Sequence, residues 1–118
     1  MTFLQEIHRL RQQSKNDKSF DDQNGHYRLL KKLYNQNGFD LIMTSCACPE
    51  QYEVFKDDVQ VAYYRLRHGE FRIDVPDCGG TTIYETEPEG DGIFSSNERL
   101  NQMANAMRVL LKHNKNNN

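Results

Sequence analysis

The stretch "VAYYRLRHGEFRIDV", residues 61–75, decides how the rest of the chain is read. Apolar and polar side chains alternate with a period of two on both sides of His68-Gly69, the pattern of a half-buried strand. A tight two-residue turn needs positive φ at both central positions. Glycine adopts that conformation freely, and histidine adopts it more readily than most residues. With His68-Gly69 as the loop, Arg67 faces Glu70, Leu66 faces Phe71, Arg65 faces Arg72 and Tyr64 faces Ile73. One face then carries Ala62, Tyr64, Leu66, Phe71, Ile73 and Val75. The other carries Tyr63, Arg65, Arg67, Glu70, Arg72 and Asp74. A slip of one residue would turn the apolar set toward water, so the register is strongly specified.

The alternation continues outward from this hairpin. "QYEVF" (51–55) precedes it and "TTIYETE" (81–87) follows it, with "KDD" and "PDCGG" as turn material between them. This predicts an antiparallel meander of four strands. Before it, "GFDLIMTSCACP" (38–49) is apolar and reads as either a strand or a buried extended segment. After it, Leu100, Met103, Ala104, Met107, Leu110 and Leu111 share one helical face, and Arg108, Lys112 and His113 suit the negative end of the dipole. At the other terminus, Phe3, Leu4, Ile7 and Leu10 predict a short amphipathic helix over residues 2–13, followed by the apolar-free linker "QQSKNDKS". A second helix follows, with Ser19 and Asp22 at capping-box spacing, a stripe of Tyr27, Leu30, Leu33 and Tyr34, and a stop at Asn37-Gly38. Gly25 weakens its first turn, which moves the expected start toward residue 25.

The expected fold is therefore α+β: two N-terminal helices, a four-stranded antiparallel meander, and a C-terminal helix packed on one sheet face. At 118 residues the chain suits a single domain. It is expected to span 1–113, with 1–38 as its helical part, 39–113 as sheet plus helix, and 114–118 as a disordered tail. A net charge of -2 provides no whole-molecule attraction to polyanions, so any such affinity must come from a local patch. No apolar run reaches the length of a membrane span, and charges throughout "MTFLQEIHRLRQQ" do not fit a secretion signal. Three cysteines, an odd number, then read as reduced thiols, and the expected location is the cytoplasm.

Two stretches imitate metal sites. Residues 87–98, "EPEGDGIFSSNE", imitate a calcium loop, with Glu87, Glu89 and Asp91 at its odd positions, Gly92 at the sixth and Glu98 at the twelfth. A strand rather than a helix leads into it, however, and Ser95 and Glu98 stand at capping-box spacing at the start of the last helix, so the cap reading is preferred. Cys46, Cys48 and His68 fall at one end of the meander and are weak zinc candidates, while Cys78 belongs at the far end. The paired spacing of zinc ribbons is absent, and the simpler reading makes Cys46 and Cys48 small buried hydrophobes and Cys78 a turn thiol. No metal or other cofactor is expected.

No spacing sets a nucleophile beside a base, and "CGGTT" precedes a strand rather than a helix, so an enzyme is not expected. Glu53, Glu70, Asp74 and Glu85 read as the solvated side of alternating strands. The polar face of the hairpin is more informative. Arg65 opposite Arg72 is a like-charge cross-strand pair, unfavourable unless neighbours or a ligand offset it. Tyr63, Arg65, Arg67 and Arg72 form the expected partner-binding set, suited to an acidic protein surface. The alternative is a nucleic-acid-binding module that uses the same face for stacking and phosphate pairing.

Cys48-Pro49-Glu50-Gln51-Tyr52, "VAYYRLRHGEFRIDVPDCGG", "IYE", and "GDGIF" followed by Glu98-Arg99 carry a further signal. Over residues 48–110 the chain resembles a family of small uncharacterised proteins of phages and bacterial genomes. The resemblance implies a context in which small non-enzymatic proteins bind and mask a host protein. Inhibition of a bacterial defence component, in the manner of anti-CRISPR proteins, is its concrete form. No site residue comes with the resemblance.

Overall fold

The computed structural model describes residues 23–116. The expected helix over 2–13 and the Ser19–Asp22 cap lie outside the described residues. Helix α1 spans Gln23–Gln36 and buries His26, Leu29, Leu30, Leu33 and Tyr34, a stripe at helical spacing. Its end follows from local chemistry. Gly38 takes φ +86, the Phe39 N–H reaches back to the Tyr34 carbonyl (2.9 Å) and the Gly38 N–H to that of Asn35 (3.1 Å). These two bonds satisfy carbonyls that the helix leaves open, and the rings of Tyr34 and Phe39 pack across the turn.

Five strands follow, not four: β1 (Asp40–Cys46), β2 (Glu50–Lys56), β3 (Val59–Arg67), β4 (Glu70–Val75) and β5 (Thr81–Thr86), each antiparallel to its neighbour in sequence order. The ambiguous apolar segment is β1, paired to β2 from Asp40↔Phe55 to Cys46↔Glu50. The central hairpin has the register derived from the sequence, from Arg67↔Glu70 to Tyr63↔Asp74, with His68 at φ 54 and Gly69 at φ 74. Helix α2, Arg99–Asn116, completes the order and runs into the segment expected to be a tail.

Both helices lie on one sheet face, α1 against β1, α2 against β5, and each against the other. This inner face carries Leu41, Tyr52, Val54, Ala62, Tyr64, Leu66, Phe71 and Ile73, all fully buried. Buried aromatic rings cross the core edge to face, Tyr34–Tyr64, Tyr64–Phe71 and Phe71–Phe94, with centroids 6.3, 5.8 and 5.0 Å apart. The Tyr34 hydroxyl has one proton, and the Met103 carbonyl 2.7 Å away can only accept it. The Tyr64 hydroxyl, 3.0 Å from that of Tyr34, is therefore the donor in their bond. On α2, Leu100, Met103, Ala104, Met107 and Leu110 are buried as expected, but Leu111 stands at the surface. No helix among the described residues is long and apolar enough to cross a membrane.

Candidate functional site

The face away from the helices presents Arg65, Arg67 and Arg72, the first and third half-buried and Arg67 exposed. Pairing sets Arg65 between Gln51 and Arg72, and Arg72 between Arg65 and Glu85. Arg72 is drawn aside: its Nε lies 3.2 Å from Asp74 Oδ1. Among the described residues no carboxylate lies within ion-pairing distance of Arg65 or Arg67. The like-charge pair is thus relieved on one side only.

Two residues of this face are not solvated as expected. Asp74 is 1% exposed and Tyr63 is 8% exposed. The cause is the β4–β5 turn, which folds back over them. The Gly79 N–H donates to Asp74 Oδ2 (3.3 Å) and the Thr82 hydroxyl to Asp74 Oδ1 (2.7 Å). The Tyr63 hydroxyl donates to Gln51 Oε1 at 2.6 Å. Burial pushes the pKa of the Tyr63 phenol above its ordinary value; Cys78 adds to the shift, and Arg65 and Arg72 oppose it. Tyr63 is part of the platform's foundation, and its ring is not free to stack.

The arginine face runs into a cavity of about 300 Å³ lined by Cys48, Arg67, His68, Asp91 and Gly92. It brings Cys48 and His68 together, as strand direction requires, but Cys46 is not part of the lining. Cys46 and Cys48 are both exposed, contrary to the buried reading, because they sit at the end of an edge strand and in the turn after it. Cys78 is an exposed turn thiol. Among the described residues no group of three or more His, Cys, Asp or Glu side chains is placed to hold a metal ion.

A backbone clamp forms the cavity wall. The Gly92 carbonyl accepts from the N–H groups of Cys48 (2.8 Å) and Glu50 (2.7 Å). Gly92 has φ +77, and a Cβ there would come within 2.9 Å of Cys48 Sγ, so the approach requires glycine. The preceding loop is tied to the helix by Glu98. Its carboxylate accepts from the N–H groups of Ser95 (2.9 Å), Glu89 (2.8 Å) and Gly90 (2.7 Å). Burial pushes the Glu98 carboxyl up, but these three amides outweigh it and hold it below the usual carboxylate value. Residues 87–98 are a cap that also closes its own loop.

Beneath the clamp lies a polar network that reading by local pattern missed. Glu50 (0% exposed) and Arg99 (2% exposed) form a two-pronged ion pair, Nε–Oε2 at 3.0 Å and Nη2–Oε1 at 3.1 Å. The Tyr52 hydroxyl and the Phe94 N–H (3.0 Å) also donate to Glu50. Arg99 donates further to the Phe94 carbonyl (2.8 Å), and its Nη1 lies 3.0 Å from His26 Nδ1. Guanidinium nitrogens only donate, so His26 Nδ1 is the acceptor and carries no proton. Burial and the Glu50 charge raise the Tyr52 phenol well above its ordinary value, with Arg99 opposing, so Tyr52 remains a donor. Two signals for this network existed in the sequence. Glu50 shares the inward parity of Tyr52 and Val54, and Arg99 opens a helix, where a positive charge opposes the dipole. Each asks for a buried partner of opposite sign.

No protein-family model matches this chain, and no curated protein or solved structure matches it.

Proposed function

We propose that this chain is a non-enzymatic binding protein whose helix-free sheet face docks on an acidic surface of a partner protein and masks it. The observation that carries this reading is the pair of guanidinium groups, Arg65 and Arg67, without an ion-pair partner among the described residues. Both are held on a regular ladder beside a cavity that can take an anchoring side chain. Arginine on a pre-ordered surface loses little freedom on binding and forms two-pronged bonds to carboxylates. The resemblance of residues 48–110 supplies the context: a phage-type inhibitor acting in the cytoplasm on a host protein, such as a defence component in the manner of anti-CRISPR proteins.

The test uses the doubly substituted chain Arg65→Ala/Arg67→Ala, leaving Arg72 in place because its loss would strip Asp74 of its counter-ion. A host protein captured by the wild-type chain is identified, purified and titrated against both forms. Loss of two interface arginines should weaken binding by about tenfold or more. Equal affinity would remove this face from the interaction. The second reading, a nucleic-acid-binding module, rests on the same arginines but lacks the exposed ring, since Tyr63 is buried. It requires affinity for single-stranded oligonucleotides that falls steeply with salt, and a flat titration would dispose of it.

A further inference from the structure

The two edges of the sheet are finished differently. At the β1 edge, side chains of α1 occupy the outward backbone groups. The Tyr27 hydroxyl accepts from the Met43 N–H (3.0 Å) and donates to the Leu41 carbonyl (3.2 Å). Lys31 Nζ donates to the same carbonyl (3.0 Å), and Gln23 Nε2 to that of Cys46 (2.6 Å). An added strand would have to displace all of them. This is a closed edge.

At β5, among the described residues, no hydrogen bond reaches the outer edge. The tight turn makes Arg67 and Glu70 a hydrogen-bonded pair, so the backbone groups of Phe71 and Ile73 point at β5 and are met by Thr86 and Tyr84. The N–H and C=O of Glu85 therefore point away from the sheet. The strand "TTIYET" contains neither the lysine nor the proline that commonly guards an open edge. Its register irregularity lies opposite the Ile73–Asp74 step, so Tyr84 to Thr86 pair regularly. Beside this stretch, Glu70, Glu85, Thr86 and Glu87 line a cavity of about 200 Å³. Among the described residues none of these three carboxylates has an ion-pair partner.

We propose that the β5 edge is a strand-addition site for an extended basic segment of a partner protein, with a Lys or Arg side chain entering the Glu70–Glu85–Glu87 cavity. Main-chain bonds from Glu85 hold the segment, and the carboxylates select its charge. The site borders the arginine face, with Glu70 and Glu85 in register with Arg67 and Arg72, but it rests on the outward backbone of β5 and stands whether or not Arg65 and Arg67 bind a partner.

The test uses the full chain and a fluorescein-labelled peptide of alternating Lys and Val, read by anisotropy, with backbone amide exchange followed by NMR. The peptide should bind and slow exchange of the Glu85 amide. Glu70→Gln/Glu85→Gln should weaken it by about tenfold, the scale expected for losing close charge partners. The Glu–Val counterpart and a Lys–Val peptide methylated on alternate backbone nitrogens should both fail to bind. Four results would overturn the proposal: no binding of the Lys–Val peptide, equal binding of the acidic peptide, binding without protection of Glu85, or concentration-dependent self-association through β5 in the absence of peptide. The last would assign the edge to a second copy of the chain.

Discussion

Replacing Glu50 by Gln should be among the most damaging conservative changes in this protein. The side chain is 0% exposed and receives Arg99 Nε, Arg99 Nη2, the Phe94 N–H and the Tyr52 hydroxyl. Those are four donors arranged around two oxygens. A glutamine amide offers one oxygen, and its NH2 group must face donors whichever way it is turned. Arg99, 2% exposed, would also lose its counter-ion. Removing one partner of a buried pair costs about 3–5 kcal/mol, because a charge is left without compensation in the interior. Against a total stability of about 5–15 kcal/mol, such a loss is large. Urea unfolding at neutral pH of the wild type, Glu50→Gln, Arg99→Met and the double variant is the assay, with slopes compared to check that the unfolded states match. The double variant leaves no unpaired charge in this network, so it should cost far less than the two singles together, by a coupling of about 2–3 kcal/mol. Arg99→Lys, which keeps the charge but not the planar fork, should fall between wild type and Arg99→Met. Single variants each costing less than about 1 kcal/mol, the level of an exposed ion pair, or costs that simply add, would refute the reasoning.

Two further outcomes follow from the hydrogen-bond directions and the cap. Tyr34→Phe should cost about 2–3 kcal/mol because it leaves the buried Tyr64 hydroxyl without an acceptor, whereas Tyr64→Phe should cost about 1 kcal/mol because Tyr34 keeps its bond to Met103; thermal unfolding that reversed this order would contradict the assigned directions. Glu98 has a folded-state pKa below its unfolded value, so the stability it contributes is present above the unfolded value and is lost as pH falls through the folded one. Glu98→Gln should therefore be less stable than wild type at neutral pH by about 1–2 kcal/mol. The gap should close in acid, and a gap that stayed constant down to low pH would show that the carboxylate charge plays no part.

The fold was largely legible because its strongest signals are local. In β3 and β4 the two-residue alternation and the His68-Gly69 turn sit within fifteen residues of one another, and together they leave one workable register. The same is true of the Asn37-Gly38 stop and of Glu98 as a capping residue. The first strand was less legible because "DLIMTSC" shows little alternation, and its pattern does not separate a strand from a buried extended segment. Arg65, Arg67 and Arg72 lie on the outer face as their parity requires, while Tyr63 and Asp74, of the same parity, are covered.

By itself, then, the sequence determined the hairpin register, the separation of an apolar face from an arginine-bearing one, the stop of α1 at Asn37-Gly38 and the entry into α2 at Glu98, since each depends on φ preferences and side-chain period over a few residues. Tertiary structure alone decided which polar residues are hidden. Residues 76–80 fold back over Tyr63 and Asp74, Gly92 meets Cys48, and Arg99 reaches Glu50 across 49 residues of chain. A period of two assigns a side chain to a face, but whether that face meets water depends on segments distant in the chain, and a charged residue does not reveal its partner until the chain has closed on itself.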